Sequence, residues 1–292
     1  MERGSFTAAA TALGLPKSSI SRGVAKLEQE LGITLFQRTT RTLRLTEGGR
    51  AFADRARAAL QTLDAAAEDA RGADGEPRGD VRLTVPPNLA GVLAELLGRF
   101  VSAHPQVRIH VMLTSRMVDL VEEGVDLALR AGQLPDSTLV AQKVAESPWV
   151  VCASPAYLAG HPPIKRVADL AAHDCLLYRA PQGSGRWTLR NGKTARTVAV
   201  RGPLSSDEVA LVAEACVHGA GVALLPAFTA AVRIKAGSLV RVLPKWAAMG
   251  AALWLVHPPG RHVPRRVELV RDFLYAELRN PVSSTLSVIL DS

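Results

Sequence analysis

Ser5 to Thr46 reads SFTAAATALGLPKSSISRGVAKLEQELGITLFQRTTRTLRLT, and the periodicity of this stretch decides the organisation of the chain. Phe6, Ala10 and Leu13 recur at helical spacing, as do Ile20, Val24, Leu27 and Leu31, so two short amphipathic helices are expected. Gly14-Leu15-Pro16 separates them, and Pro16 suits a helix start, where a missing N–H costs nothing. Two helices around so tight a turn make a helix-turn-helix, whose second helix enters the major groove of double-stranded DNA. Near the start of that helix, Lys17, Ser18, Ser21 and Arg22 form an outward face of donors suited to phosphates and base edges. The same face would also serve an ordinary solvated helical hairpin. Arg38-Thr39-Thr40-Arg41-Thr42-Leu43-Arg44 follows, with three arginines and three threonines in seven residues. Its β-favouring threonines predict a two-stranded wing on which Arg38, Thr39, Arg41 and Arg44 meet phosphates or reach the minor groove.

The matches that give this stretch a family are Gly4-Ser5-Phe6-Thr7-Ala8-Ala9-Ala10, Leu13-Gly14, Ser21-Arg22, Leu27-Glu28, Leu31-Gly32, Leu35-Phe36, Arg38-Thr39-Thr40-Arg41 and Leu45-Thr46-Glu47-Gly48-Gly49. At those spacings the chain resembles the winged helix-turn-helix of the LysR-type transcriptional regulators. Members of that family carry most of another helix before the Gly-Ser-Phe step. This sequence begins at Met1-Glu2-Arg3-Gly4, so a truncated first helix is expected.

Outward from that stretch, residues 1–50 hold eight Lys/Arg against four acids, while the whole 292-residue chain carries a net charge of +8. Half the excess thus sits in the first sixth of the chain, and an isoelectric point near 9.9 suits a polyanionic partner. A hydrophobic content of 48% and mean hydropathy of +0.12 describe a well-cored protein long enough for a small and a large domain. No apolar leader and no spanning apolar run is present, so a cytoplasmic protein without membrane contact is expected. Cys152, Cys175 and Cys216 are odd in number and widely spaced, which fits reduced thiols packed as small hydrophobes.

Thr46 is a natural N-cap for a helix through Ala70, along which Phe52, Ala56, Ala59, Leu63, Ala66 and Ala70 recur at alternating spacings of four and three. This is a heptad seam that asks for a partner helix, and a protein reading a two-fold operator needs two copies. The family resemblance implies dimerisation through the same linker helix. Arg71-Gly72-Ala73-Asp74-Gly75-Glu76-Pro77-Arg78-Gly79 cannot continue a helix and reads as a hinge.

From Val81 short strands alternate with helices. Val81–Val85, Asn88–Ala103, Val107–Leu113, Met117–Glu123 and Val125–Leu129 read as β-α-β-α-β around a parallel sheet. A second set runs from Val150 through strands at Cys175–Tyr178 and Arg196–Arg201, a helix at Asp207–His218 and a strand at Val222–Leu225. Strands at Leu239–Val242 and Ala251–Val256 and a closing helix at Val263–Leu278 complete it. Chain crossings near Glu146–Val150 and Val256–Pro259 would leave a cleft between two lobes. The runs Asp119-Leu120-Val121-Glu122-Glu123-Gly124-Val125-Asp126-Leu127-Ala128-Leu129-Arg130, Ala153-Ser154-Pro155-Ala156-Tyr157-Leu158 and Gly219-Ala220-Gly221-Val222-Ala223-Leu224-Leu225-Pro226 are similar to the LysR effector domain. That resemblance implies a fold like the periplasmic binding proteins, with a small-molecule inducer held between the lobes.

The expected architecture is therefore α/β overall. A winged helix-turn-helix spans residues 1–49, a linker helix 50–71 and a hinge 72–80. The effector domain spans 81–292, with lobe I at 81–148 and 257–292 and lobe II at 149–256. Ligands of open α/β sheets sit beyond the carboxyl ends of strands and at helix starts. That rule selects Asn88, Ser115, Arg116 and Arg130 from the first lobe and Ser205, Ser206 and Asp207 from the second, with Arg130 or Arg116 pairing the carboxylate of an organic acid. Asp207 and Ser206 would serve equally as helix caps. HExxH, P-loop and paired-cysteine patterns are absent, so no catalytic residue, metal or cofactor is expected. The expected function is a DNA-binding regulator, dimeric or tetrameric, modulated by an inducer, with RNA polymerase a further partner. The alternatives are a transport- or storage-like binding protein with a defective DNA-binding region, and an enzyme.

Overall fold

The computed structural model describes residues 5–38, 43–70, 76–134, 136–259 and 263–279. The expectations for residues 1–4, for Thr39 to Thr42 with Arg41 among them, for the hinge at 71–75 and for the tail from 280 lie outside the described residues.

The first two helices are α1 (Phe6–Leu13) and α2 (Lys17–Leu31). Ser5 caps α1 by accepting the Ala8 N–H at 3.0 Å, and Gly14 ends it in the left-handed conformation at φ 64°, where a side chain would be strained. Pro16 is the cap residue of α2, one position before the helix proper. Strands β1 (Phe36–Arg38) and β2 (Leu43–Leu45) pair antiparallel as the wing, and α3 (Glu47–Ala70) follows. The expected inward faces are only partly covered. Ala10 is buried, but Leu13 and Leu31 are 65% and 39% exposed, because among the described residues nothing packs over that end of the helix pair.

The larger part begins with β3 (Gly79–Val85), α4 (Ala90–Ala103), β4 (Val107–Leu113), β5 (Leu127–Ala131) and β6 (Val140–Ala153). Then come α5 (Pro155–Ala159), β7 (Cys175–Tyr178), the hairpin β8 (Ser184–Asn191) and β9 (Thr194–Arg201), and β10 (Ser205–Ser206). The chain closes through α6 (Val209–Val217), β11 (Val222–Pro226), α7 (Ala227–Lys235), β12 (Val240–Arg241), β13 (Ala248–His257) and α8 (Arg265–Arg279). A continuous sheet runs in the order β10-β7-β11-β6-β13-β5-β3-β4, with β12 on β6. Strands β3, β4 and β5 are parallel, as the β-α-β pattern demands, while the long crossing strands β6 and β13 pair antiparallel with each other.

Two lobes follow from two groups of buried side chains. Leu83, Leu93, Leu96, Phe100, Leu127, Leu129, Val270 and Leu274 fill the first, between the sheet and helices α4 and α8. In the second lobe the strand alternation sends Val150 and Cys152 toward α6 and α7, and Val151 and Ala153 to the opposite face. Strand β6 passes from one core to the other, contributing Val144 to the first and Val150 to the second.

Two expectations differ from the structure, and two elements are additional to them. Met117–Glu123 is an irregular stretch leading into a single turn rather than a helix. Asp119 Oδ1 accepts the N–H groups of Val121 and Glu122 at 2.9 and 3.0 Å, and Gly124 at φ 62° stops the turn. The helix expected from Asp207 starts at Val209, with Glu208 as its cap. Helix α7, capped by Pro226, and strand β8 had not been anticipated.

Candidate functional site

The residues selected from sequence for DNA contact are set by a small number of bonds. On α2, Lys17, Ser18 and Arg22 are exposed and Ser21 is half-buried, all within the first two turns. That helix start has no side-chain cap and no acid in its first turn, which leaves its positive end open to an anion. Arg44 is exposed on β2, opposite Gln37 of β1, and the backbone of Arg38 pairs with Leu43. The wing is held in place by Glu28 of α2, whose Oε1 accepts the N–H groups of Leu35 and Phe36 at 2.7 and 3.0 Å. Phe36 also meets Phe6 of α1 edge to face, with ring centroids 5.5 Å apart. The Thr46 hydroxyl donates to the Thr34 carbonyl at 2.6 Å and accepts the Gly49 N–H at 2.8 Å, so one residue both ties down the wing and caps α3. Gly49 has to be glycine, since a Cβ there would lie 2.0 Å from the Leu35 carbonyl oxygen.

On α3, Phe52 and Ala56 are half-buried, whereas Ala59 and Leu63 are exposed, Leu63 by 65%. Ala66 lies on the same helix. The seam is thus open to solvent at Ala59 and Leu63.

Between the two lobes lies a cavity of about 270 Å³. Of the residues selected from sequence, Asn88, Ser115 and Arg130 line it. Asn88 Nδ2 donates to Thr229 Oγ1 at 3.0 Å, and the Thr229 hydroxyl donates back to the Asn88 carbonyl at 3.3 Å. Arg130 is buried, and its guanidinium donates to the Arg116 carbonyl at 2.8 Å and the Val118 carbonyl at 3.5 Å. Burial draws the Arg130 pKa below the ordinary guanidinium value, while the Glu123 charge acts in the other direction. The Arg116 side chain lies outside the lining, its main chain serving to hold Arg130. Ser205, Ser206 and Asp207 line a neighbouring open groove instead of the cavity, because the helix starts two residues later than expected. Ser206 Oγ accepts the Glu208 N–H at 3.0 Å, a local capping role.

Glu208, missed from sequence, is the second lobe's acidic contribution. The Ser115 hydroxyl donates to its Oε2 at 2.6 Å, joining residues 93 apart in sequence across the cavity. Trp149, Tyr178 and Phe228 supply an aromatic wall, with the Trp149 and Tyr178 rings 5.6 Å apart. Burial pushes the Tyr178 hydroxyl pKa up, partly offset by the Arg179 charge. Arg179 stands exposed at the rim in a left-handed conformation at φ 52°, its guanidinium 5.1 Å from the Tyr178 ring, and such a backbone costs of order 1 kcal/mol or more for a residue with a Cβ. The strand-end rule applied to Cys175–Tyr178 would have found Tyr178 and Arg179.

Residues 1–50 match the family described as bacterial regulatory helix-turn-helix protein, lysR family, and residues 74–279 match the LysR substrate binding domain. The chain is similar to the HTH-type transcriptional regulator PtxR of Pseudomonas aeruginosa, 37% identical over 91% of this chain and 86% of that protein. It is also similar to the HTH-type transcriptional regulator DmlR of Escherichia coli, 33% identical over 93% and 89%. Among solved structures, that of CrgA, a LysR-type transcriptional regulator from Neisseria meningitidis, superposes with a TM-score of 0.62 at 31% identity over 96% of both chains.

Proposed function

The chain belongs to the LysR-type family of bacterial transcriptional regulators, and from that premise we propose how its own residues divide the work of binding DNA and sensing a ligand. Lys17, Ser18, Ser21 and Arg22 enter the major groove, and Arg38, Thr39, Arg41 and Arg44 hold phosphates beside it. Phe52, Ala56, Ala59, Leu63 and Ala66 pair two copies of α3, so that two heads reach two half-sites. The family is one of regulators rather than enzymes. Among the described residues no helix is long and apolar enough to cross a membrane. RNA polymerase is the further partner in this reading.

The observation that carries the ligand reading is the bond from Ser115 to Glu208 at 2.6 Å, which bridges the lobes over the cavity. A small organic acid whose carboxylate meets Arg130 or Arg179 fits the positive side. Glu208 opposes a second negative group, so the far end of the ligand carries a hydroxyl or ammonium donor that displaces Ser115. Occupation then alters the balance between lobe arrangements, and with it the placement of the heads.

Two measurements test this. In gel shifts, Arg44→Ala weakens binding to all duplexes and lowers the salt slope by about 1, whereas Arg22→Ala changes sequence preference by about 1–3 kcal/mol at one base pair. A uniform loss from both overturns the division of roles. In thermal-shift titrations with hydroxy and amino acids, Arg130→Ala and Arg179→Ala abolish the response. Unchanged binding in both variants sinks the carboxylate reading.

A further inference from the structure

Residues 184–201 hold five basic side chains, Arg186, Arg190, Lys193, Arg196 and Arg201, and no acid. They form the hairpin of β8 and β9, in unbroken register from Ser184 opposite Arg201 to Asn191 opposite Thr194. Its inner face is sealed onto the second lobe by Trp187, Leu189, Val198 and Val200, all buried. Strand alternation therefore turns Arg186, Thr188, Arg190, Thr197 and Arg201 outward together. All five basic residues are exposed. Among the described residues none of them is paired with a carboxylate.

We propose that this outward face is a second DNA-contact surface, holding phosphates of duplex that flanks the segment under the winged heads. Three features favour nucleic acid over an acidic protein. The first is that none of the large exposed apolar side chains lies on the hairpin, so it offers no anchor of the kind that carries protein–protein binding. Protein–DNA interfaces are more polar and far more positive. The second is cross-strand pairing: Arg186 and Arg190 face Ala199 and Ala195, whose methyl groups leave both guanidinium groups free to reach a close duplex. At about 3.3 Å per residue the two arginines stand about 13 Å apart, a span over which a DNA strand offers several phosphates. The third is mass action. The winged heads hold the duplex on the same molecule, so weak additional contacts act at high effective concentration.

This inference rests on the DNA-binding reading, and the test keeps the two apart. Full-length protein is titrated with DNA from upstream of its own gene. One duplex is cut to the segment protected by the heads, and another is extended by about three helical turns, at about 10.5 bp each, on both sides. The variant Arg186→Gln/Arg190→Gln/Arg201→Gln binds the short duplex like the natural chain. On the long duplex its salt slope falls by about 2.7, at about 0.9 for each lost phosphate contact. The matching triple lysine variant restores the slope. Equal slopes on the long duplex overturn the proposal, as does a lysine variant that behaves like the glutamine one. Unchanged DNA binding with lost transcriptional activation overturns it in favour of a protein partner. Failure to bind even the short duplex removes the DNA-binding reading itself.

Discussion

Replacing Gly49 by alanine tests whether the wing is positioned by its contact with the start of α3. The new Cβ would stand 2.0 Å from the Leu35 carbonyl oxygen and 2.8 Å from the Leu35 carbonyl carbon, distances that real Cβ atoms essentially never show. Both neighbours are main-chain atoms, so no side chain can swing aside, and relief requires the wing and the helix to separate by about 1 Å, which is overpacking of the costlier kind. The Leu35 carbonyl accepts the Thr46 N–H at 3.0 Å, and Thr46 in turn caps Gly49 at 2.8 Å, so the same movement strains two hydrogen bonds. At about 1 kcal/mol for each bond and about 1–3 kcal/mol for the overpacking, the substitution costs roughly 3–5 kcal/mol. That is a large part of the roughly 5–15 kcal/mol that holds a domain folded. Hydrogen exchange followed by mass spectrometry should show faster exchange in residues 17–31 and 43–49, with the effector domain unchanged and DNA affinity lost. Gly48→Ala is the control, because its Cβ meets only the end of the Ile33 side chain at 3.4 Å. Alanine there is neutral or stabilising by up to about 1 kcal/mol. If Gly49→Ala exchanges and binds DNA like the natural chain, the account of the wing is wrong.

Two further outcomes follow from the same geometry. Tyr157 Oη accepts the Asp174 N–H at 3.2 Å and shares a second hydrogen bond with His173 Nδ1 at 3.2 Å, which ties the His173 ring into a buried cluster. Burial lowers the His173 pKa below its ordinary 6.5, with His161 acting in the same direction and Asp169 and Asp174 against it. The unfolded chain therefore takes up the proton first. Stability from this group is lost as pH falls below 6.5 toward the depressed value, and His173→Gln should flatten that part of a melting-temperature profile against pH. An identical profile in the variant would show that the cluster does not titrate. On α3, Leu63→Glu should shift the protein from dimer toward monomer in sedimentation analysis. Each buried leucine contributes about 1.5–3 kcal/mol to such a seam, and unchanged sedimentation would place the pairing elsewhere.

How much of this could be read from sequence depended on whether local chemistry or distant packing decided the outcome. The helix pair, the wing, the Thr46 cap and the parallel β-α-β order all rest on periodicity and on cap or turn residues, which act over a few positions. The helix expected at Met117–Glu123 fits its composition, yet Asp119 takes the N–H groups of Val121 and Glu122, so the turn begins only there, and Gly124 ends it within one turn. Glu208 escaped notice for a similar reason. Ser205, Ser206, Asp207 and Glu208 are four candidate caps in succession, and the one used is settled by β10 pairing with β7, which holds Ser205 and Ser206 in a strand. Trp149 and Phe228 reach the cavity only because β6 and α7 are brought to it by the sheet, and no spacing in the sequence records that.

The cavity also limits how a ligand can control the heads. A hydrogen bond to a charged group contributes about 1.5–3 kcal/mol, and because Ser115 is exposed its bond to Glu208 falls nearer about 1 kcal/mol. Breaking that bond alone shifts the ratio of lobe arrangements about fivefold, whereas moving a population from 1:99 to 99:1 takes about 5.5 kcal/mol. Displacing Ser115 is therefore too weak to serve as the whole switch. The remainder must come from contacts that the ligand makes in one lobe arrangement and not the other, which means contacts on both sides of the cleft at once. Arg130 and Asn88 lie on one side, and Glu208 and the Tyr178 ring on the other. On the proposed reading, an acid that reaches only Arg130 would bind and still leave the heads where they were, while one that spans from Arg130 to Glu208 would bind and switch. Affinity and regulation are separable at this site, so a search for the inducer has to be scored by its effect on DNA binding.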